Sequence, residues 1–524
     1  MALLGIFLCL WIFGLIMFVL ALLQKRRYLK KQLSRQHKLS SNPILLSFFH
    51  PYCNSGGGGE RVLWVGISTL LQHHQNLLIF IYTNDSECLK APKTVFSRIK
   101  NTFDISIEDY SRVKFIPLYS EVLLRPVLYP CLTLVGQAIG SVIAALEAVA
   151  RLPCDVFLDT TGFAFSIPIF SWLIGASCGA YVHFPTVSSD MEKRLISREP
   201  DDATSYNNSE RIRRSLVLTT LKRLYYALFK IAYGWVGSST NCRQVAVNSS
   251  WTLRHIAALF GSLPFLLYPP CPCLTTDGGN GRQRKPWIIS IGQFRPEKNH
   301  QLTHETQSMI DAEESTQHHA PSWKSTFIPI SYLLQLQLKA FELFLKKIVG
   351  NKTPYRLILI GGCRNYDDFN RVRSLRETVA KMGLTEWQVT FEVNASTAKV
   401  KRYLREATVN LHTMVDEHFG IGIVEGMASG LVTVANRSGG PLTDIIGPVQ
   451  GQLNSDPSKA RPTPVGYLAS TAEEYADTLF YVLVKATPRQ LDPLRAAAKA
   501  RAEDLFSEEA FSNGWLQFTR RLGL

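Results

Sequence analysis

Residues 42–71 read "NPILLSFFHPYCNSGGGGERVLWVGISTLL". The uncharged run from Ile44 to Phe49 suits a strand covered on both faces, as in a parallel sheet. Gly56 to Gly59 then read as a turn, and "ERVLWVGISTLL" as the helix it opens. Strand, bare glycine turn and helix N-terminus, in that order, form the first unit of a doubly wound α/β domain, and they leave backbone N–H groups open to an anion or a sugar.

Working outward, "NLLIFIYTND" (76–85), "DVFLDTTG" (155–162), "GAYVHFP" (179–185) and "YGWVGSST" (233–240) read as further strands alternating with helical segments. A second series runs through "KPWIISIGQF" (285–294), "YRLILIGGC" (355–363), "WQVTFEV" (387–393), "ATVNLHTM" (407–414) and "GLVTVAN" (430–436). Two similar halves therefore join near the proline-rich "YPPCPC" (268–273). The expected organisation is a membrane anchor with basic linker over 1–40 and an acceptor-side α/β domain over 41–270. A second α/β domain over 271–490 and a terminal helix over 491–524 follow.

A chain of 524 residues exceeds one hydrophobic core, and 46% hydrophobic against 19% charged residues makes it oilier than most soluble proteins. The net charge of +15 fits nucleic acid, an anionic membrane surface or phosphorylated ligands. Ala2 to Leu23 carry no charge, long enough to span a bilayer, and "QKRRYLKKQLSRQHK" follows directly. A signal peptide would be shorter and end in a small-residue cleavage site, so an uncleaved anchor is expected, with the basic side and the body in the cytosol. The ten cysteines show no C-x-x-C pair and read as reduced thiols.

Two more apolar stretches, 131–146 and 163–180, read either as further spans or as helices lying in the membrane surface or core. Asp155 and Asp159 between them, and Pro168 within the second, favour the embedded or core reading. Residues 301–335 interrupt the second half as a polar insertion, in which His304, His318 and His319 suit a solvated loop better than a metal site.

Two motifs carry chemistry. "FRPEKNH" (294–300) sets Arg295 and Lys298 at a strand's C-terminal end, where two cations suit a diphosphate or, more plainly, a solvated basic loop. "VDEHFGIGIVEGMASG" (415–430) reads as a loop entering a helix near Ile423, with Glu417 on the loop and Glu425 in the first turn. Gly420 and Gly422 allow positive φ or close backbone approach. The two carboxylates read as an acid and base pair or as holders of hydroxyls along one extended ligand, and Glu425 alone could simply favour the helix dipole.

The basic pair followed by E-x7-E resembles glycosyltransferase family 4, in the C-terminal domain of a GT-B fold. Together with "HPYCNSGGGGERVLW", "YVHFPTVSSDM", "VNSSWTLRHI", "YPPC" and "LIGGCRNYDD", the chain looks like the eukaryotic α-1,2-mannosyltransferases of asparagine-linked glycosylation that extend a dolichol-linked oligosaccharide. The resemblance implies that Arg295 and Lys298 hold the donor diphosphate, Glu417 the transferred sugar and Glu425 the ribose. It implies that Phe419, Gly420, Ile421 and Gly422 line the donor with backbone, with Gly57 and Gly58 opposite, and that His183 lies near the donor sugar. "NRSGGPLTDII" matches a further family loop, and Gly426 departs from the cysteine or similar residue expected there.

It further implies GDP-mannose as donor, a dolichol-pyrophosphate oligosaccharide as acceptor, retention of configuration, and an endoplasmic reticulum membrane location with cytosolic domains. Other mannosyltransferases of the pathway are candidate partners; nucleic acid is not. No D-x-D motif is placed to hold a divalent cation, so no metal or cofactor is expected. Two alternatives are another lipid-directed transferase of the same fold and a non-catalytic binding subunit, and the retained charged residues speak against the latter.

Overall fold

The computed structural model describes residues 2–39, 42–187, 215–272, 284–294, 331–363, 366–447 and 464–524. Within them, β1 (Ile44–Phe49), β2 (Leu77–Thr83), β3 (Val113–Pro117), β4 (Val156–Asp159), β5 (Ser177–Val182), β6 (Gln244–Val247) and β7 (Phe265–Leu266) form one sheet, ordered β3-β2-β1-β4-β5-β6-β7. A second sheet holds β8 (Lys285–Ile291), β9 (Arg356–Gly361), β10 (Val389–Val393), β11 (Ala407–His412), β12 (Val432–Asn436) and β13 (Tyr467–Ala469), ordered β10-β9-β8-β11-β12-β13. Every pairing in both sheets is parallel. The strand order reverses between β1 and β4 and between β8 and β11, which opens a ligand crevice at the carboxyl ends of those strands in each sheet.

The quoted run becomes β1 because both of its faces are covered. Leu45 and Phe49 enter one core with Phe157 and Phe170, while Leu46 and Phe48 enter another with Trp64 and Trp515. Trp515 comes from the last helix, Glu508–Arg520, and its indole lies against Gly66 of the Gly58–His73 helix, where a Cβ would come within 2.8 Å. The preceding helix, Pro488–Phe506, instead packs Ala498, Ala502 and Phe506 with the second domain's Ile423, Val424 and Met427. The terminal segment is thus two helices, each bound to a different sheet.

The basic stretch after the apolar N-terminus is no loose linker; the helix continues unbroken from Ala2 to Gln36. Lys25 donates to the Ala150 carbonyl (2.7 Å) and Arg26 to those of Cys154 and Ile174 (3.0 Å each), so cations meet the C-terminal ends of the Thr133–Arg151 and Ile167–Ile174 helices. Lys30 pairs with Asp155 at 2.8 Å, and the same Asp155 oxygen accepts the Leu45 amide that starts β1 (2.9 Å). Cys9–Gln36 and Thr133–Arg151 are each long and apolar enough to cross a membrane.

One expected strand is wrong. Residues 233–237 of "YGWVGSST" end the helix Leu216–Gly237. Tyr226, Phe229, Tyr233 and Val236 are buried at helical spacing, a period that an eight-residue window over 233–240 is too short to reveal. The outer side of this helix keeps Leu221, Leu224, Leu228 and Ile231 exposed, and Trp235 packs edge-on against the exposed Trp172.

Asp444 joins the domains. Fully buried in the Pro441–Ile445 turn of the second, it accepts the Ser250 amide (3.0 and 3.1 Å) at the start of the first domain's Ser250–Phe260 helix, and the Tyr268 hydroxyl (2.9 Å). A carboxylate at a helix N-terminus is favourable, and removing it strands two buried donors. Asp444→Ala is expected to destabilise the chain by about 2–3 kcal/mol, read as a lower denaturant midpoint, with Asp444→Asn losing less because its amide oxygen still accepts.

Candidate active site

In the second domain the chain leaves β11 at His412, runs out to Gly420 and turns into the helix Ile421–Ala428. Gly420 makes that turn at φ +107, a conformation that a side chain strongly disfavours. The helix begins at Ile421, two residues before the expected Ile423, so Glu425 stands in the second turn rather than the first. The cause is tertiary: a Cβ on Gly422 would lie 3.0 Å from the Ile291 carbonyl, so the first turn sits directly over the end of β8. Gly426 faces Asn410, which donates to the Gly422 carbonyl (2.9 Å), and a Cβ there would overlap the Asn410 side chain. A glycine is therefore what this packing admits at the one position where the sequence departs from the expected pattern.

Glu417 is held through its backbone. The Gly440 amide donates to its carbonyl (2.7 Å), and the neighbouring Asp416 amide donates to Ser438 (2.7 Å), so the "RSGG" loop closes over it. Its carboxylate stands 3.6 Å from His412 Nε2.

In the first domain the glycine turn follows β1, and the helix Gly58–His73 opens with Gly57 as its N-cap. The Gly57 amide donates to Glu60 (2.5 Å), and the other Glu60 oxygen lies 3.6 Å from Nε2 of the buried His50. Burial alone would raise the Glu60 carboxyl, but the hydrogen bonds from His50 and the Gly57 amide outweigh it and hold it below the ordinary carboxylate value. His50 Nδ1 meets the Thr160 hydroxyl at 2.8 Å, and the Thr160 carbonyl accepts from His183 Nε2 at 3.1 Å. Asn248 secures the next backbone position by donating to the His183 carbonyl (2.8 Å).

The two sets meet. A Cβ on Gly58 would stand 2.7 Å from Ile421 Cδ1, and one on Gly59 would stand 3.4 Å from His183 Nε2. His418 lies between Phe184 and Trp251 of the first domain, at ring separations of 5.8 and 5.0 Å. Beside this seam Arg61 is buried, pairs with Glu508 and donates to the Phe103 carbonyl (3.2 Å), while its Nε has no hydrogen-bond partner among the described residues. Burial raises the Glu425 carboxyl above the ordinary value, and the Arg61 guanidinium opposes that rise. Two helix N-termini, two carboxylates and an imidazole thus border one cleft, an arrangement suited to a phosphorylated sugar.

A family model described as ALG11 mannosyltransferase N-terminus matches residues 43–260, and one described as Glycosyl transferases group 1 matches residues 333–459. The human protein named GDP-Man:Man(3)GlcNAc(2)-PP-Dol alpha-1,2-mannosyltransferase is 36% identical over 94% of this chain and 90% of its own. Its Dictyostelium discoideum counterpart of the same name is 34% identical over 93% and 86%. The chain belongs to this mannosyltransferase family.

It is a glycosyltransferase with the GT-B fold. A Rickettsia africae glycosyltransferase superposes with a TM-score of 0.54 at 13% identity over 92% of this chain and 99% of that one. Sucrose-phosphate synthase from Thermosynechococcus elongatus gives 0.55 at 13% identity over the same shares. At that identity the likeness speaks to the fold alone.

Of the residues singled out in the sequence, this family member brings Gly57, Gly58, His183, Gly420, Ile421 and Gly422 to one seam, with Glu417 and Glu425 on the same loop and helix. Phe419 does not line the cleft with its ring, which is buried against Tyr268 and Phe506. Arg295, Lys298 and residues 301–330 of the insertion lie outside the described residues; residues 331–335 begin the Ser331–Lys347 helix. Glu60, His50, Thr160 and Arg61 went unread, although "FFHP" at a strand's end and a glutamate just inside a glycine-opened helix were visible signals.

The raised Glu425 carboxyl fixes a pH dependence. The folded chain keeps that proton to a higher pH than the unfolded chain, so this group lowers stability as pH rises from the ordinary carboxylate value through the raised one. Glu425→Gln is expected to be at least as stable as wild type at pH 7, with the two converging towards about pH 4, where the unfolded carboxyl also takes up its proton. Denaturant midpoints at the two pH values check this, and a variant weaker only at pH 7 would refute it.

Proposed function

We propose that this chain transfers mannose from GDP-mannose onto dolichol-pyrophosphate-linked Man3GlcNAc2, adding two α-1,2-linked residues in succession with retention at the anomeric carbon. The observation that carries the proposal is the convergence of Gly58 on Ile421 and Gly59 on His183, with Glu417 and Glu425 alongside. The kinship with transferases named for that donor and acceptor supports it.

In this reading Glu417 holds hydroxyls of the mannose, Glu425 the ribose, and the amides at Gly420–Gly422 meet the diphosphate at a helix N-terminus. Arg295 and Lys298, which follow β8 in the sequence, complete the diphosphate site in this reading. Charge builds on the departing GDP in the transition state, so these donors accelerate the step by stabilising the leaving group. The diphosphate takes the proton of the incoming acceptor hydroxyl on the same face of the sugar, and no side-chain nucleophile is needed. His183 stands at the donor sugar, across the seam from Ile421.

The acceptor's lipid implies a membrane, and several features support the endoplasmic reticulum surface with both domains in the cytosol. The apolar N-terminus runs into Lys25, Arg26 and Lys30, which grip the first domain and so hold it close to the bilayer. The Thr133–Arg151 helix exposes Val135, Ile139, Ile143 and Leu146 in one stripe, and the Leu216–Gly237 helix exposes a second. These suit helices resting in the membrane surface.

Incubating the detergent-solubilised chain with GDP-mannose and the Man3GlcNAc2 lipid is expected to give Man4 and then Man5 products, with UDP-sugars inactive as donors. Glu417→Ala is expected to cut the rate by about a hundredfold or more, a loss typical of removing a transition-state contact; an unchanged rate would sink the assignment. Transfer is expected to persist in excess EDTA, and a rate restored only by added divalent cation would overturn the metal-free mechanism.

A further inference from the structure

We infer that Glu60, His50 and Thr160 form a positioning relay that fixes the first-domain half of the site, setting the glycine turn and the His183 imidazole together. The inference rests on the proposed role of His183 and adds three residues that neither the motifs nor the kinship assigns.

The chain of contacts is continuous. One Glu60 oxygen accepts the Gly57 amide at 2.5 Å and the other faces His50 Nε2 at 3.6 Å. His50, 2% exposed, turns its second nitrogen to the Thr160 hydroxyl at 2.8 Å, and the Thr160 carbonyl takes the His183 Nε2 contact at 3.1 Å. A carbonyl only accepts, so His183 Nε2 carries the proton, and in the neutral ring Nδ1 bears the lone pair. The Glu60 carboxylate facing His50 Nε2 at 3.6 Å favours a proton on that nitrogen, which leaves Nδ1 to accept the Thr160 hydroxyl.

Helix capping alone does not account for this. A serine at the N-cap would satisfy the first turn, whereas burying a carboxylate and an imidazole carries a desolvation cost. What the buried pair adds is reach, from the turn after β1 to the loop after β4 and the residue after β5, which are the three first-domain elements at the seam. Rigid placement of this kind lets amides and imidazole act without reorganising during the reaction.

Thr160→Val keeps the size and the backbone carbonyl but removes the hydroxyl. Because Glu417, Glu425 and the Gly420–Gly422 amides, which carry most of the donor contact in the proposed reading, lie on the other domain, kcat is expected to fall about tenfold while KM for GDP-mannose stays within about twofold, and Thr160→Ser is expected to restore kcat. Placed in His183→Ala, Thr160→Val is expected to add no further loss, since the relay acts through that ring. Glu60→Gln, which can still accept the Gly57 amide but lacks the charge facing His50, serves as the second variant and is expected to show the same fall and the same non-additivity. Wild-type kcat in both variants, or a full additive loss in the His183→Ala background, overturns the relay while leaving His183 in place. A His183→Ala enzyme with wild-type kcat overturns the relay together with the role proposed for that histidine.

Discussion

Bare backbone at two helix N-termini is the constraint on which this molecule depends. The Gly58–His73 helix and the Ile421–Ala428 helix are each capped by a glycine, Gly57 and Gly420, and they begin against one another, with Gly58 on Ile421. A methyl group on Gly58 would press on Ile421 before any ligand entered. Each N-terminus presents unsatisfied N–H groups and the positive end of a helix dipole, so their meeting concentrates donors where a diphosphate sugar needs them. The Gly58–His73 helix follows β1 and the Ile421–Ala428 helix follows β11, so the two meet beyond strands that flank the switch point of each sheet.

That geometry holds only if the domains are fixed relative to each other, and contacts spread along the chain do this. Asp444 caps a first-domain helix from the second domain, Arg61 reaches Glu508 on the helix that returns, and His418 is enclosed by Phe184 and Trp251. The last two helices split between the cores, so the chain's end straps the halves together. On the other side of the first domain, the N-terminal helix is pinned through Arg26 and Lys30. The Lys30–Asp155 pair that holds this helix also anchors the start of β1 through the Leu45 amide.

Much of this was legible locally. The five apolar residues of β1 and the four glycines after it specify strand, turn and helix without reference to anything distant, because covered strands are mostly apolar and glycine frees the turn. The E-x7-E stretch stood out through its resemblance to the glycosyltransferase pattern rather than through any local propensity. The helix Leu216–Gly237 misled the reading because its buried side chains recur over three turns, and a short apolar window has no period to measure. The start of the Ile421–Ala428 helix was set by the approach of Gly422 to the Ile291 carbonyl, which no local propensity encodes.

The sequence by itself determined the two-sheet architecture and the long apolar N-terminal helix, since these follow from hydrophobic period and chain length. Only the tertiary structure decided that Gly58 meets Ile421, that Glu60 and His50 tie the glycine turn to His183, and that Asp444 bridges the domains. The physical reason is that a buried hydrogen bond or a close backbone approach belongs to two segments at once. Segments remote in the chain carry no mark of each other until packing brings them into contact.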